Sequence, residues 1–127
     1  MTNDPVALIF KEVGEEPFYK LVDEFYAGVE NDFVLRPLYP EDLTLPKQHL
    51  ALFLIQRTGG PTSYSDQRGH PRMRARHMPF PIGVIEKNAW MHNMTVALDK
   101  VPELEEHKEV LTEFFETFAT FLINKSD

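Results

Sequence analysis

Apolar side chains recur along most of the chain at intervals of three and four residues, and no run alternates convincingly with period two, so the sequence reads as all-α. The clearest stripe is Phe18, Leu21, Val22, Phe25, Tyr26 and Val29, the pattern of a helix with one buried face. It predicts a helix opened by Pro17, where a missing N–H costs nothing, with Tyr26 pointing inward. A short apolar helix from about Pro5 to Val13 precedes it, broken by Gly14. Pro37 to Pro40 form a turn that carries Tyr39. The next helix opens near Thr44 to Pro46 and runs to Thr58 with Leu50, Phe53 and Leu54 on its inner face, and Gly59-Gly60-Pro61 ends it. From Pro61 to His70 polarity and lack of period indicate a loop. The segment from Pro71 to His77 makes about two helical turns, too short to stand alone, so a metal–ligand bond plus packing is expected to hold it. A helix from about Gly83 to Asp99 carries Trp90, Met94, Ala97, Leu98 and Val101 along one stripe. A last long helix from about Pro102 to Asn124 carries Leu111, Phe114, Phe115, Phe118 and Leu122.

The 127 residues fit one domain, 1–127, and 43% hydrophobic with 26% charged residues marks a chain that folds rather than one that stays disordered. A formal net charge of −7 disfavours nucleic acid as a partner. The absence of cysteine removes disulfides, thiolate catalysis, iron–sulfur clusters and haem attachment through Cys-x-x-Cys-His, which leaves histidine as the available soft ligand. Neither a basic start followed by an apolar run nor a bilayer-length apolar segment is visible, so a cytoplasmic protein with no membrane contact is expected.

The chemistry concentrates in Arg68-Gly-His-Pro-Arg-Met-Arg-Ala-Arg running into His77-Met-Pro-Phe, which sets a histidine at the end of a short, Pro-opened, Arg-studded helix. Read alone, such a histidine is most often a solvent-facing helix end. His49, His70, His92 and His107 lack the spacing of a zinc site, and His70 is placed to brace the short helix. Arg68, Arg72 and Arg76 share one face if the segment is continuous helix; for Arg68 and Arg72 a solvated basic stripe is the plainer reading. Tyr26, Tyr39 and Trp90, each singly a core aromatic bonded to backbone, would together give a pocket a polar-edged aromatic wall.

The order and spacing of Phe25-Tyr26, Tyr39-Pro40-Glu41-Asp42, Phe53-Leu54, Gly59-Gly60-Pro61, Tyr64, Arg68-Gly69-His70-Pro71, Arg74-Ala75-Arg76-His77, Pro79-Phe80 and Ala89-Trp90 resemble the truncated haemoglobins of the second group over nearly the whole chain. The resemblance implies a two-over-two helical sandwich around a non-covalent haem b, iron protoporphyrin IX. It implies that His77 is the iron ligand through one ring nitrogen, the other donating to a backbone carbonyl. It makes Tyr26, Tyr39 and Trp90 the donors to a bound ligand. Under the resemblance Arg76, with Tyr64 and His49 as further candidates, is expected to pair with a propionate, and Phe53, Leu54, Met73, Phe80 and Ile82 would line the porphyrin. Pro46 stands where larger globins place a distal histidine and where relatives more often carry Ala, Ser or Thr. Leu50, one turn later, supplies no hydrogen-bond donor. The first inter-helix turn departs from the family, with Val13-Gly14-Glu15 where many relatives have a Gly-Gly pair.

Three functions of different classes follow. The leading one is reversible binding of O2, and of CO or NO, with slow release, serving oxygen binding, transport or sensing. A second is redox catalysis, either NO dioxygenation or weak peroxidase turnover of peroxide, which needs a partner reductase because no flavin or nicotinamide motif is present. The third needs no haem: a helical interaction module that presents the Arg68–Arg76 stripe to an acidic partner. The oligomer is expected to be a monomer or homodimer.

Overall fold

The computed structural model describes residues 4–126, and every regular element among them is helical. In chain order the helices are α1 (Phe10–Val13), α2 (Glu16–Glu30), α3 (Thr44–Arg57), α4 (Ser63–Arg68), α5 (Met73–His77), α6 (Val84–Asp99) and α7 (Lys108–Phe121), with single 3-10 turns at Val6–Leu8 and Arg36–Leu38 and a longer one at Pro102–His107.

Every residue of the α2 stripe is buried, with Phe18, Leu21, Phe25 and Val29 at 0% exposure, so this helix is the centre of the core. It packs on α3 on one side and on α6 on the other, and α6 pairs with α7. Two helix pairs are thereby stacked through α2 and α6, the two-over-two sandwich that the resemblance implies.

Local chemistry fixes the helix ends. Asp42 Oδ1 accepts the N–H of Thr44 at 2.9 Å, and Glu86 Oε1 accepts the N–H of Gly83 at 2.7 Å, so each carboxylate satisfies a backbone donor at the entrance of a helix. Thr58, wholly buried, returns its hydroxyl to Leu54 O at 2.7 Å while its own carbonyl accepts Phe10 N at 3.0 Å, which docks α1 on the end of α3. The next residue must be glycine: Gly59 has φ of 105°, and a Cβ there would stand 2.2 Å from Ala7 O.

Four boundaries differ from the sequence reading. Residues near Pro5 to Val13 are a 3-10 turn followed by one turn of α-helix. The stretch read as a loop from Pro61 to His70 contains α4. This helix has six residues and no apolar period of its own, and a reciprocal pair with α3 stabilises it: Gln56 Nε2 donates to Ser65 Oγ at 2.8 Å and Ser65 N donates to Gln56 Oε1 at 3.0 Å. The last helix is broken in two, because Pro102 to His107 wind as 3-10 before α7 begins, and it ends at Phe121. The short histidine helix starts at Met73 because Arg72 has φ of 44°, a left-handed position that no α-helix continues through.

That last break also dissolves the Arg68–Arg72–Arg76 stripe, which required one continuous helix. His70 does brace the segment, its Nδ1 accepting Arg72 N at 3.2 Å. A C-terminal strap fastens α5 and the residues after it. Arg74 donates to Phe121 O at 2.6 Å and Ile123 O at 2.8 Å. Asn124 donates to His77 O at 3.2 Å and Phe80 O at 2.9 Å, and accepts from Ile82 N at 2.9 Å.

Candidate functional site

Between these elements lies a cavity of about 350 Å³, within the range of small-molecule and cofactor pockets. It gathers the residues singled out in the sequence from separate segments. Tyr26 comes from α2, Tyr39 from the turn after it, and His49, Leu50 and Phe53 from α3. Tyr64 comes from α4, Met73, Arg76 and His77 from α5, Phe80 and Ile82 from the connection, and Trp90 from α6. Leu54 is the exception. At 1% exposure it packs in the core and is not part of the lining, because it follows Phe53 by one residue and so points about 100° further round α3. Pro46 lines the cavity one turn before Leu50.

His77 holds a fixed ring. Its Nδ1 lies 2.6 Å from Met73 O one turn earlier, and since a carbonyl only accepts, Nδ1 carries the proton. In the neutral ring Nε2 is then the nitrogen without a proton, with its lone pair available to the cavity that the residue lines.

The aromatic donors form a connected network. Trp90 N–H can only donate, and its partner is Tyr39. Burial pushes the Tyr39 phenol up to about 12, against which its hydrogen bonds with Tyr26 and Trp90 act. Burial likewise raises Tyr26 far above its ordinary value, and the neighbouring Tyr39 raises it further. Of the two phenol protons one is used in the Tyr26–Tyr39 bond, and the other is left to give. Aromatic packing fixes the indole: Trp90 meets Phe25 at 5.4 Å, Phe115 at 5.6 Å and stacks with Phe118 at 6.2 Å.

One edge of the cavity is basic. Arg76 donates to Pro71 O and Arg68 O, both at 2.7 Å, and Arg68 donates to His49 Nδ1 at 2.9 Å; both guanidiniums lie over the ring of the buried Tyr64. His49 is held below its ordinary value, first by burial and then by the charges of Arg68 and Arg76, in keeping with an Nδ1 that accepts a hydrogen bond. Among the described residues no carboxylate pairs with Arg68 or Arg76, so the edge is an open site for an anionic group. Arg68, read in the sequence as part of a solvated stripe, lines the cavity instead. Lys87, Phe118 and Leu122 also line it, and sequence reasoning assigned none of them to the site. Lys87 was findable, since it precedes Trp90 by three residues on α6 and so shares its face.

A fixed imidazole, a set of neutral donors and a basic edge around an apolar cavity match one kind of family, and the comparison with known proteins agrees. The model of the bacterial-like globins matches residues 8–124. The chain belongs to that family. Among curated relatives it is similar to "Group 2 truncated hemoglobin YjbI" of Bacillus subtilis, 38% identical over 118 residues that cover 93% of this chain and 89% of the relative. Among solved structures it is similar to the hemoglobin of Chloroflexus aurantiacus (TM-score 0.89, 44% identity, 93% of this chain and 98% of that one). It is similar also to the truncated oxygen-avid haemoglobin of Bacillus subtilis (TM-score 0.87, 38% identity, 92% and 99%). The globin is thus a group II truncated haemoglobin, a class that implies a haem cofactor and the binding of small diatomic ligands. The cavity fits such a cofactor: an imidazole with a free Nε2, apolar side chains for the ring faces and arginines without carboxylate partners for the propionates. No helix among the described residues is long and apolar enough to cross a membrane.

Proposed function

We propose that this globin holds haem b without a covalent bond, with His77 Nε2 as the iron ligand, and binds O2 reversibly with slow release. The observation that carries the reading is the linked Tyr26–Tyr39–Trp90 set on the cavity wall: one phenol proton is used between the two tyrosines and Trp90 donates to Tyr39, so one phenol proton is left for a ligand, and the reading assigns it to Tyr39. When bound, the haem supplies a ferrous centre for diatomic ligands. Met73 O fixes the His77 ring and its tautomer, Arg76, Arg68 and His49 would hold the propionates, and Phe53, Met73, Phe80 and Ile82 would exclude water from the ring. Burial keeps both phenols protonated through the physiological range, so the donor set does not depend on pH there. A hydrogen bond given to a polarised diatomic ligand contributes about 1.5–3 kcal/mol, enough to slow release roughly ten- to a hundredfold. The oxygen-avid relative is consistent with this.

The same contiguous Tyr26–Tyr39–Trp90 set, whose rings are oxidisable, favours redox turnover with a separate reductase as the second reading. Absorption spectra of the purified protein, as isolated, reduced and under CO, test the proposal. A Soret band that sharpens and shifts with CO, and that is lost in His77→Ala, is expected. A colourless folded protein that takes up no haemin overturns it. Steady-state peroxide and NO assays with and without a reductase then separate binding from catalysis.

A further inference from the structure

The turn that presents Tyr39 is tied to the helix that presents Trp90 by a contact outside the cavity. Asp32, two residues past α2, accepts the N–H groups of Val34 and Leu35 on Oδ1 at 2.8 and 3.0 Å, which closes the turn leading through Arg36–Leu38 to Tyr39. Its second oxygen, Oδ2, accepts Nδ2 of Asn93 at 2.8 Å. Asn93 is 8% exposed, lies three residues past Trp90 on α6, and also donates to Ala89 O at 2.9 Å, which holds its side chain in one orientation. Gly28 closes the other side, since a Cβ there would stand 2.2 Å from Asn93 Oδ1. The other side-chain hydrogen bonds in this turn stay local, Arg36 reaching only Tyr39 O, Pro40 O and Glu41 O. Apart from the Tyr39–Trp90 bond itself and the charge interaction of Asp32 with His92, the Asp32–Asn93 bond is the hydrogen-bonded link between the turn and α6 among the described residues.

We infer that Asp32 and Asn93 are positioning residues that set the register of Tyr39 against Trp90, and through it the rate at which a ligand leaves the cavity. The kinetic half of this rests on the haem reading above; the geometric half does not. Asp32 has separate tasks for its two oxygens, so an exchange of groups isolates the link. In Asp32→Asn the amide oxygen still caps Val34 and Leu35, but its NH2 faces the NH2 of Asn93. In Asn93→Asp two carboxylates face each other. The double exchange restores a donor opposite an acceptor across the link, in reverse, with nearly the same shape, while the bond to Ala89 O stays lost as in Asn93→Asp. Gly28→Ala breaks the link from the third side by displacing the Asn93 amide.

Trp90 is the sole tryptophan, so its indole N–H proton gives one resolved NMR signal. In the CO-bound protein each single exchange, and Gly28→Ala, should shift this signal and speed its solvent exchange. O2 release in stopped flow should rise about fivefold, the worth of roughly one net hydrogen bond. The double exchange should bring both back toward the parent values. Single exchanges that lower the melting temperature but leave the indole signal and release rate unmoved would show a merely structural contact and overturn the inference, as would a double exchange no closer to the parent than its components. If the protein carries no haem the functional proposal falls separately, while the indole signal of the folded chain still decides the geometry.

Discussion

Tyr39→Phe is the sharpest perturbation of this site, because it removes a single oxygen on which two donors depend. The phenyl ring keeps its edge contact with Tyr26, 5.4 Å between centroids, so packing is nearly unchanged. With Tyr26 taken as the donor of the phenol pair, Trp90 N–H and Tyr26 O–H both lose their acceptor. A buried polar group left without a partner costs about 1–3 kcal/mol. Tyr26, at 4% exposure, bears most of that cost, whereas Trp90 is only half-buried, so the expected total is about 2–4 kcal/mol. Tyr26→Phe takes only one donor from an oxygen that keeps the Trp90 bond, and should cost about 1 kcal/mol although Tyr26 is the more buried ring. Ligand release should separate the two further. Loss of the Tyr39 proton should speed O2 release roughly ten- to a hundredfold, against a few-fold for Tyr26→Phe, whose hydroxyl acts only through Tyr39. Urea unfolding of the haem-loaded variants under one ligand, and stopped-flow release, measure the two quantities. If Tyr26→Phe releases ligand as fast as Tyr39→Phe or faster, the proton order runs the other way, with Tyr39 donating to Tyr26 and Tyr26 facing the ligand.

Three further outcomes follow from described geometry. Gly59→Ala should lose about 3 kcal/mol or more in urea unfolding, since it adds a clash with Ala7 O to the left-handed strain. Gly69→Ala, at φ of 79° with open space around it, should lose only the strain, about 1–2 kcal/mol, and equal losses would refute the close-approach argument. The Tyr39 phenol is unprotonated above about 10 in the unfolded chain and only above about 12 in the folded one. Its contribution is therefore complete below pH 10 and fades between the two values, so the folded protein should weaken over that window and Tyr39→Phe should flatten the slope. Asn124→Ala removes the three hydrogen bonds to His77, Phe80 and Ile82, and should speed amide exchange across residues 73–82 and raise haem loss about tenfold, measured by transfer to an excess of a haem-scavenging protein.

What was legible in the chain was whatever repeats locally. The α2 stripe is read directly from spacing because one face of a helix is either buried or not, and each of its six residues is buried. Of the residues that spacing and resemblance assigned to the site, all but Leu54 line the cavity, while Arg68, Lys87, Phe118 and Leu122 line it without having been assigned. What escaped was decided by partners far along the chain. The polar residues of α4 stand as a helix because Gln56 answers Ser65, a pairing across nine residues that no periodicity encodes. Arg68 and Arg72 have the same i, i+4 spacing as Arg72 and Arg76, yet Arg72 adopts φ of 44°, and the stripe becomes two arginines on a cavity edge and one exposed turn residue. Asp32 and Asn93 are ordinary polar residues in sequence and gain their meaning only when α2 and α6 are brought together.

The strap formed by Phe121, Ile123 and Asn124 has a consequence in time. A ribosome makes the chain from its first residue onward, so His77 emerges long before the carbonyls and amide that fasten its five-residue helix. Until those last residues arrive, the imidazole sits on a segment too short to hold its own shape. A nascent chain stalled before residue 121 would carry every residue of the cavity lining up to Ala119 and still lack the fastening that keeps His77 in place, so stable capture of a cofactor there is expected to await residues 121–124.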